Sequence, residues 1–162
     1  MSELIDPMQF RQACGQFATG VTVVTALDPE RGPVGLTANS FTSVSLDPPL
    51  VLVSVAKTAG THRAFAEGPG FVVHVLGADA KELAQRFATR DIDRFEGLEW
   101  TPGTLGLPLL SGALARFECA REHAYEGGDH TIFVGRVVGM ELAGDTERPA
   151  LGFFRGGYRV ID

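Results

Sequence analysis

The stretch GLTANSFTSVSLDPPLVLVSV, residues 35–55, carries the strongest indication of how this chain folds. A group of small polar residues, Thr37-Ala38-Asn39-Ser40 with Ser43, lies between two apolar runs, Val21–Ala26 and Leu50–Val55, which both predict short strands. Hydroxyl and amide groups in a tight connection can present several donors together, as a phosphate group requires. The same residue types are common in ordinary surface turns, so the stretch alone allows either interpretation.

The composition predicts one folded domain over residues 1–162, because 44% of the residues are apolar and the length suffices for a real core. The 20 glycines and nine prolines imply many turns, which favours strands over a helical bundle. A net charge of −6 argues against nucleic-acid binding, which needs a basic face. No apolar run is long enough to cross a bilayer.

Local signals predict three helices. Asp6 and Pro7 form a typical helix start, and the apolar spacing continues to a stop at Gly20. A short helix is predicted over 61–67. Asp79 with Glu82 forms a capping pair for a third helix. The residues predicted to face inward are Phe10, Ala13, Cys14 and Phe17 in the first helix and Leu83 and Phe87 in the third.

Six or seven short strands are predicted around these helices. Leu50–Val55 is apolar throughout, which indicates a central strand covered on both faces. The arrangement that best accommodates the pattern is a mainly β fold, a closed, antiparallel, Greek-key-like barrel with peripheral helices. The other predicted strands are Val21–Ala26, 34–38, 71–76, 113–119 and 131–138.

The cysteines and the first ten residues indicate in which cellular compartment the protein is found. Cys14 and Cys119 fit neither a CxxC nor a zinc-ligand pattern, so two reduced, buried thiols of a cytoplasmic protein are expected. Residues 1–10 lack the basic start and the apolar segment of a signal peptide.

The histidines do not form a recognisable metal or hydrolase motif. His62, His74, His123 and His130 are not spaced like metal ligands, so no metal site is predicted. No GxSxG, GxGxxG after a strand or GxxxxGK sequence occurs, which excludes the usual hydrolase, Rossmann and P-loop sites.

Two further segments carry polar groups that suit a ligand. Ser54-Val55-Ala56-Lys57-Thr58 with Thr61 runs from a buried strand into hydroxyls, a lysine and a helix start, which would suit an anion or simply cap a helix. Gly127-Gly128-Asp129-His130 predicts a hairpin turn with a histidine at its rim. His130 could contact a ligand or simply bond Asp129.

Five ordered motifs between residues 10 and 158 resemble the short-chain flavin reductases, the small reductase components of two-component flavin-dependent monooxygenases. They are GLTANSFTSVSLDPPLVLVSV, KTAGT, Gln85-Arg86-Phe87, GGDHTIFVGRV and FFRGGY. The resemblance implies an FMN-binding split β-barrel that reduces FMN or FAD with NAD(P)H, more often NADH. It further implies a homodimer with the flavin near the subunit interface and a partner monooxygenase that receives reduced flavin.

The resemblance also implies roles for individual residues. By the family pattern, the phosphate and ribityl side of the flavin would be contacted by Thr37, Ala38, Asn39 and Ser40, and the isoalloxazine edge would be contacted by Ser54 and Val55. The phosphate would be held by Lys57, Thr58 and Thr61, with Arg86 and Phe87 closing over it. The nicotinamide side would be lined by His130, Arg155, Gly157 and Tyr158. Many relatives have FYRG where this chain has Phe153-Phe154-Arg155-Gly156, so Phe154 lacks a phenol that could bond the nicotinamide nucleotide.

Hydride transfer from a nicotinamide to a flavin needs no protein nucleophile, because the reaction belongs to the two cofactors. The protein must hold the two rings in contact and place donors where reduced flavin gains negative charge. His130 is the only candidate for such tuning. Two alternatives use a similar barrel: a flavin-binding electron carrier, and a pyridoxal-phosphate-type oxidase, for which the sequence lacks a cluster of basic residues.

Overall fold

The computed structural model describes residues 4–162, so Met1–Glu3, where the segment compared with signal peptides begins, lie outside it. The helices are α1 (Pro7–Cys14), α2 (His62–Glu67) and α3 (Lys81–Ala88), the last preceded by a 3-10 turn at Ala78–Ala80. The strands are β1 (Thr19–Gly20), β2 (Thr22–Asp28), β3 (Gly32–Ala38), β4 (Thr42–Leu46), β5 (Pro49–Ala56), β6 (Gly70–Val75), β7 (Thr101–Pro102), β8 (Pro108–Leu109), β9 (Ala115–Gly127), β10 (His130–Leu142), β11 (Ala150–Phe154) and β12 (Gly157–Ile161). No helix in residues 4–162 is long and apolar enough to span a membrane.

Seven strands form one antiparallel sheet in the order β3-β2-β6-β9-β10-β5-β4. The first core cluster joins Ala38 of β3, at one edge, with Val53 of β5, near the other edge, and with Phe65 of α2. Residues from opposite ends of the strand order share one cluster, so the sheet curls around it. Within the described residues, no ladder of hydrogen bonds joins the two edge strands β3 and β4, so the sheet is not closed into a barrel at these edges.

The strands that are buried on both faces are the neighbours β2 and β6, whereas β5 is one strand from the sheet edge. The prediction that Leu50–Val55 is central is therefore wrong. In β5, Val51 and Val53 are buried but Leu50 and Leu52 are only half-buried, as the two-residue period of a strand requires when one face is covered. The turn after β4 leads directly into β5, which keeps β5 beside that edge.

β2 separates two cores. Val24 and Ala26 belong to the first cluster, and Val21 and Val23, just before and within the strand, belong to a second. The second cluster includes Leu76, Ala84, Phe87, Phe95, Leu110 and Leu151, with Leu83, Phe153 and Tyr158 packed against it. It joins α3 to the C-terminal hairpin β11–β12, which forms a small sheet with β1. The sequence prediction that Leu83 and Phe87 face inward is confirmed.

The helix α1 begins as predicted but ends early and covers no core. Asp6 Oδ1 accepts the Met8 N–H at 3.0 Å, and Pro7 is the first helical residue. The helix ends at Cys14 rather than near Gly20, because Gly15 already closes the last turn. Its expected apolar face is exposed, and Cys14 is exposed too, so only Cys119 is the buried thiol that the sequence predicted.

The predicted capping pair of the third helix is wrong. Asp79 lies in the 3-10 turn and its carboxylate accepts Arg148 Nη2 at 3.2 Å instead. The residue before α3 is Ala80, which offers no side-chain cap. The ion pair with Arg148 ties this turn to the segment before β11, a partner too distant in the sequence for a capping rule to detect.

Candidate functional site

A cleft of about 830 Å³ opens between β3, the β5–α2 connection (residues 57–61) and the loop that follows α3. Its walls include residues 33–37 of β3, residues 90–95 of the loop, and Thr58 and Thr61 of the connection. The volume is in the range of small-molecule sites in proteins. Of the residues predicted to bind a cofactor, the structure brings Thr37, Thr58, Thr61 and Phe87 together here.

Thr61 provides a test of whether this cleft suits a polar ligand. The residue is only 7% exposed and lines the cleft, yet its hydroxyl has no hydrogen-bond partner among the described residues. It precedes α2 with helical dihedrals and makes no side-chain cap. A buried hydroxyl without a partner costs free energy, so its retention at a cleft wall indicates a ligand oxygen as the missing partner. The site therefore fits a phosphorylated group such as a flavin nucleotide.

Arginine side chains give the cleft a positive lining that the sequence did not reveal. Arg31, Arg90 and Arg94 line it, together with Asp91 and Asp93, in a chain whose net charge is −6. They come from the β2–β3 turn and the loop after α3, and no local motif connects them. Their contribution could not be recognised before the fold placed them around one cavity.

Arg94 is the best placed of these cations. Its Nη1 donates to Gly35 O at 2.7 Å and its Nε donates to Thr89 O at 2.9 Å. Both acceptors are neutral carbonyls, so the guanidinium charge is not cancelled by a carboxylate. Partial burial lowers the pKa of Arg94, which still leaves an arginine charged at neutral pH. Arg31 by contrast bonds Gly60 O and approaches Asp28 at 3.6 Å.

Phe87 forms part of the wall of the cleft, and Arg86 supports the loop that forms another part of it without lining the cavity itself. Phe87 is completely buried and meets Phe95 edge to face, with ring centroids 5.3 Å apart. A Cβ at Gly35 would lie 2.7 Å from the Phe87 ring and 3.0 Å from Val24 O, so only glycine allows this approach. Arg86 donates from Nε to Arg94 O at 2.7 Å and from Nη2 to Glu96 O, which holds the loop in place.

The Thr37–Ser40 stretch makes mostly internal contacts. Thr37 Oγ1 donates to Ala84 O at 2.5 Å, which ties β3 to α3. Ala38 is buried, and its carbonyl accepts the Thr22 hydroxyl at 2.7 Å. Ser40 Oγ accepts the Ser54 N–H at 2.9 Å and lies 3.2 Å from Ser54 O. Asn39 is exposed, and its side chain forms no hydrogen bond with a described residue, so it is the amide that is available to a ligand.

The segment Ser54–Thr61 divides between two regions. Ser54 bonds Ser40, and Val55 is a core residue only 1% exposed. Thr58 and Thr61 face the cleft, whereas Lys57 points the other way and pairs with Glu126 in the β9–β10 hairpin. The predicted phosphate role of Lys57 therefore competes with this ion pair, which no sequence pattern indicated.

His130 is the first residue of β10, directly after the β9–β10 turn, with 44% of its side chain exposed. Its Nδ1 is 2.7 Å from Asp129 Oδ1, the local bond that the sequence offered as an alternative to a direct role. This bond lowers the pKa of Asp129. Because Asp129 occupies Nδ1, the nitrogen left for a ligand is Nε2.

The tail residues lie apart from His130. Arg155 adopts a left-handed φ of 51°, donates from Nε to Gln16 Oε1 at 3.0 Å and stacks over Phe154 at 4.6 Å. Tyr158 is half-buried against Phe153, and burial raises its pKa. Gly157 begins β12. None of these residues shares a hydrogen bond, ion pair or ring contact with His130 in this chain.

The other histidines have structural contacts. His74 is buried, bonds Val23 O at 3.0 Å and accepts Leu110 N at 3.0 Å, and burial lowers its pKa to about 4. His123 is exposed and stacks on Tyr125. His62 lies 2.8 Å from Thr131 Oγ1. Residues 4–162 contain no group of three metal-ligating side chains.

The model of the flavin reductase like domain family matches residues 14–162. The chain belongs to this family. The sequence resemblance to flavin reductases is therefore confirmed.

Individual relatives agree with this assignment. The FMN reductase (NADH) SmoA of Agrobacterium fabrum is 56% identical over 129 residues, which is 80% of this chain and 73% of that protein. HsaB of Rhodococcus jostii, the reductase subunit of a flavin-dependent monooxygenase, is 42% identical over 161 residues, 99% of this chain and 81% of that protein.

A solved structure gives the same fold. The NADH:FAD oxidoreductase SgcE6 of Streptomyces globisporus, in complex with NAD and FAD fragments, aligns with a TM-score of 0.87 and 46% identity over 98% of this chain and 96% of that one. The mainly β, split-barrel fold class predicted from the sequence is confirmed by such flavin reductase structures.

Proposed function

We propose that the protein is an NADH-dependent flavin reductase that reduces FMN or FAD and supplies the reduced flavin to a separate monooxygenase. Membership of the flavin reductase-like family supports this, as do relatives named for NADH-dependent FMN or FAD reduction and for a monooxygenase reductase subunit. The observation that carries the proposal is the cleft, in which a buried, unpartnered Thr61 hydroxyl faces the same space as three arginines.

The cleft residues would hold the flavin through its phosphate. Thr58 and Thr61 would donate hydroxyl hydrogen bonds, and the uncancelled charge of Arg94 would favour the anion. Asn39 would offer its free amide on the ribityl side, beside the Ser40–Ser54 link that fixes the end of β3 against β5. Arg86 and Phe87 would act by shaping this wall, since neither presents a free polar group to the cavity.

A bound flavin supplies the hydride acceptor for a reduced nicotinamide. The protein's part is to keep the two rings in contact and to supply polar groups around them. His130 would contribute Nε2 on the nicotinamide side, because its Nδ1 is held by Asp129. No side chain needs to act as nucleophile for this reaction.

The protein would act as a homodimer in the cytoplasm. No side chain of α1 is buried, and Met8 and Phe10 are 71% and 61% exposed, which leaves apolar side chains on this helix for a second subunit to cover. A partner's tail hairpin would complete the nicotinamide side, which in one chain lacks contact between His130 and Tyr158. Light scattering tests the oligomeric state: we expect a dimer in the parent, and a monomer would contradict the proposal.

The cytoplasmic location is supported by the cysteines, since two free thiols suit a reducing compartment.

The test of function is to mix the purified protein with NADH or NADPH, each with FMN or FAD, and to follow the loss of the reduced nicotinamide's absorbance. We expect turnover, faster with NADH. Tight flavin binding without nicotinamide oxidation would instead support the electron-carrier alternative. Failure to bind either flavin would reject both.

A further inference from the structure

The β5–α2 connection, residues 57–61, contacts two places at once. On one side it presents Thr58 and Thr61 to the cleft. On the other side its Lys57 N–H donates to Asp129 O at 2.9 Å, and His62, the first residue of α2, reaches Thr131. Asp129 and Thr131 are the two neighbours of His130, so the connection and the start of α2 hold His130 from both flanks.

The hydrogen bond between His62 and Thr131 is well defined. His62 Nε2 lies 2.8 Å from Thr131 Oγ1, and Thr131 is only 8% exposed, so its hydroxyl has little access to water. The His62 ring also packs against the buried Phe133 ring, with centroids 5.6 Å apart, which restrains it from a second direction. A threonine hydroxyl can donate or accept, so the bond survives whether His62 Nε2 carries a proton or not.

The Cα register shows why this bond matters for position. Thr131 pairs with Val55 and His130 with Ala56, so His130 occupies the last paired position of β10 at the open end of the β5–β10 ladder. Beyond it the chain turns through Gly128, whose φ is positive. His130 also pairs with Gly127 of β9, but no ladder pair on either side lies beyond it toward the turn, so side-chain bonds from the adjoining connection add to how firmly it is held.

We infer that His62 is a positioning residue for His130, and that through the connection it links the phosphate end of the cleft to the nicotinamide side of the site. The inference rests on the proposed function, because it assigns the cleft to the flavin phosphate and His130 to the nicotinamide. His62 itself touches neither ligand in this assignment. A phosphate bonded to Thr61 would hold the residue next to His62 and so steady Thr131 and His130.

The test uses His62→Leu, Thr131→Val, the double variant and His62→Gln, with His123→Leu as matched control. His123 lies on the same hairpin but stacks only on Tyr125. We expect each of the two single variants that break the bond to lower kcat/KM for NADH by about two- to tenfold, the range of one neutral hydrogen bond. The flavin Kd should change by less than about twofold, since no cleft contact is lost. The double variant should be no worse than the worse single variant, because both remove the same bond.

His62→Gln, whose amide can reach Thr131, should recover most of the loss, and His123→Leu should behave like the parent. Unchanged kcat/KM in both bond-breaking variants, an equal loss of flavin affinity, or a glutamine variant as poor as leucine would overturn the inference. If His62 had a purely structural role, its substitution would lower the free energy of unfolding and weaken flavin binding together. A loss of kcat/KM at an unchanged flavin Kd therefore distinguishes a positioning role from a structural one.

A second readout does not depend on turnover. In the ligand-free protein, the proton resonances of the His130 ring should shift in His62→Leu and in the isosteric Thr131→Val, and should stay in place in His123→Leu. Unmoved resonances would overturn the positioning role. If the parent binds flavin but never oxidises a nicotinamide, the proposed function fails while this measurement still decides whether His62 positions His130.

Discussion

The cleft and the β9–β10 hairpin are both rich in polar side chains, but they use them differently. At the tip of the hairpin, Lys57 of the β5–α2 connection pairs with Glu126 and the His130 ring bonds the Asp129 carboxylate, so both side chains already have an acidic partner. In the cleft, Arg94 bonds only backbone carbonyls and the Thr61 hydroxyl has no partner. Groups whose bonding capacity is unused gain most from a ligand, so the cleft should supply affinity and the hairpin should adjust geometry.

The largest effect should come from Arg94→Leu. Loss of a charge-assisted contact costs about 1.5–3 kcal/mol, so flavin affinity should fall by about ten- to a hundredfold. Quenching of flavin fluorescence measures the Kd. Arg136→Leu is the control, because Arg136 pairs with Glu122 on an exposed surface. Equal losses in both variants would mean that the cleft has no special role.

Gly35→Ala should damage the cleft wall itself. The new Cβ would lie 2.7 Å from the buried Phe87 ring and 3.0 Å from Val24 O, so the core must shift. We expect the free energy of unfolding to fall by about 1–3 kcal/mol in urea denaturation, with weaker flavin binding. Gly144→Ala has open space around it and should leave both quantities unchanged. A stable Gly35→Ala variant would show that the wall can adapt.

Thr61→Val separates binding from stability most sharply. Valine keeps the shape and removes a buried hydroxyl that has no partner, so unfolding should need as much or more denaturant. Flavin affinity should nevertheless fall by about two- to tenfold, the value of one hydrogen bond. Thr42→Val, at an exposed position of β4, is the control. A loss of stability without loss of affinity would place the partner of Thr61 within the protein.

The smallest effect is expected at the hairpin ion pair. Exposed pairs contribute little, so Glu126→Gln should leave the unfolding transition nearly unchanged. If Lys57 also serves the phosphate, releasing it from Glu126 should tighten flavin binding slightly, and Lys57→Met should weaken it slightly. The same titrations measure both, and an unchanged Kd in the two variants would remove Lys57 from the binding site.

The sequence predicted six of the seven strands of the main sheet, all except β4, together with the Asp6 cap and the family, because these depend on local periodicity, local capping and ordered motifs. It predicted β2 as a strand but missed that β2 is buried on both faces, because Thr22 and Thr25 look polar and yet bond the carbonyls of Ala38 and Pro108. It also missed Arg94 and His62, whose partners lie 59 and 69 residues away. Contacts of that range depend on which strands become neighbours, and local patterns do not encode this order.

The position of β2 between two cores limits how the chain can change length. Val24 and Ala26 face one core and Val23 the other, so inserting one residue within the strand would send each side chain to the opposite side. Both cores would then receive groups of the wrong volume at once. Between the start of β2 and the end of β3, insertions and deletions should therefore be confined to the turn at residues 29–31. The chain is exposed there, and these residues form no strand pair whose register would shift.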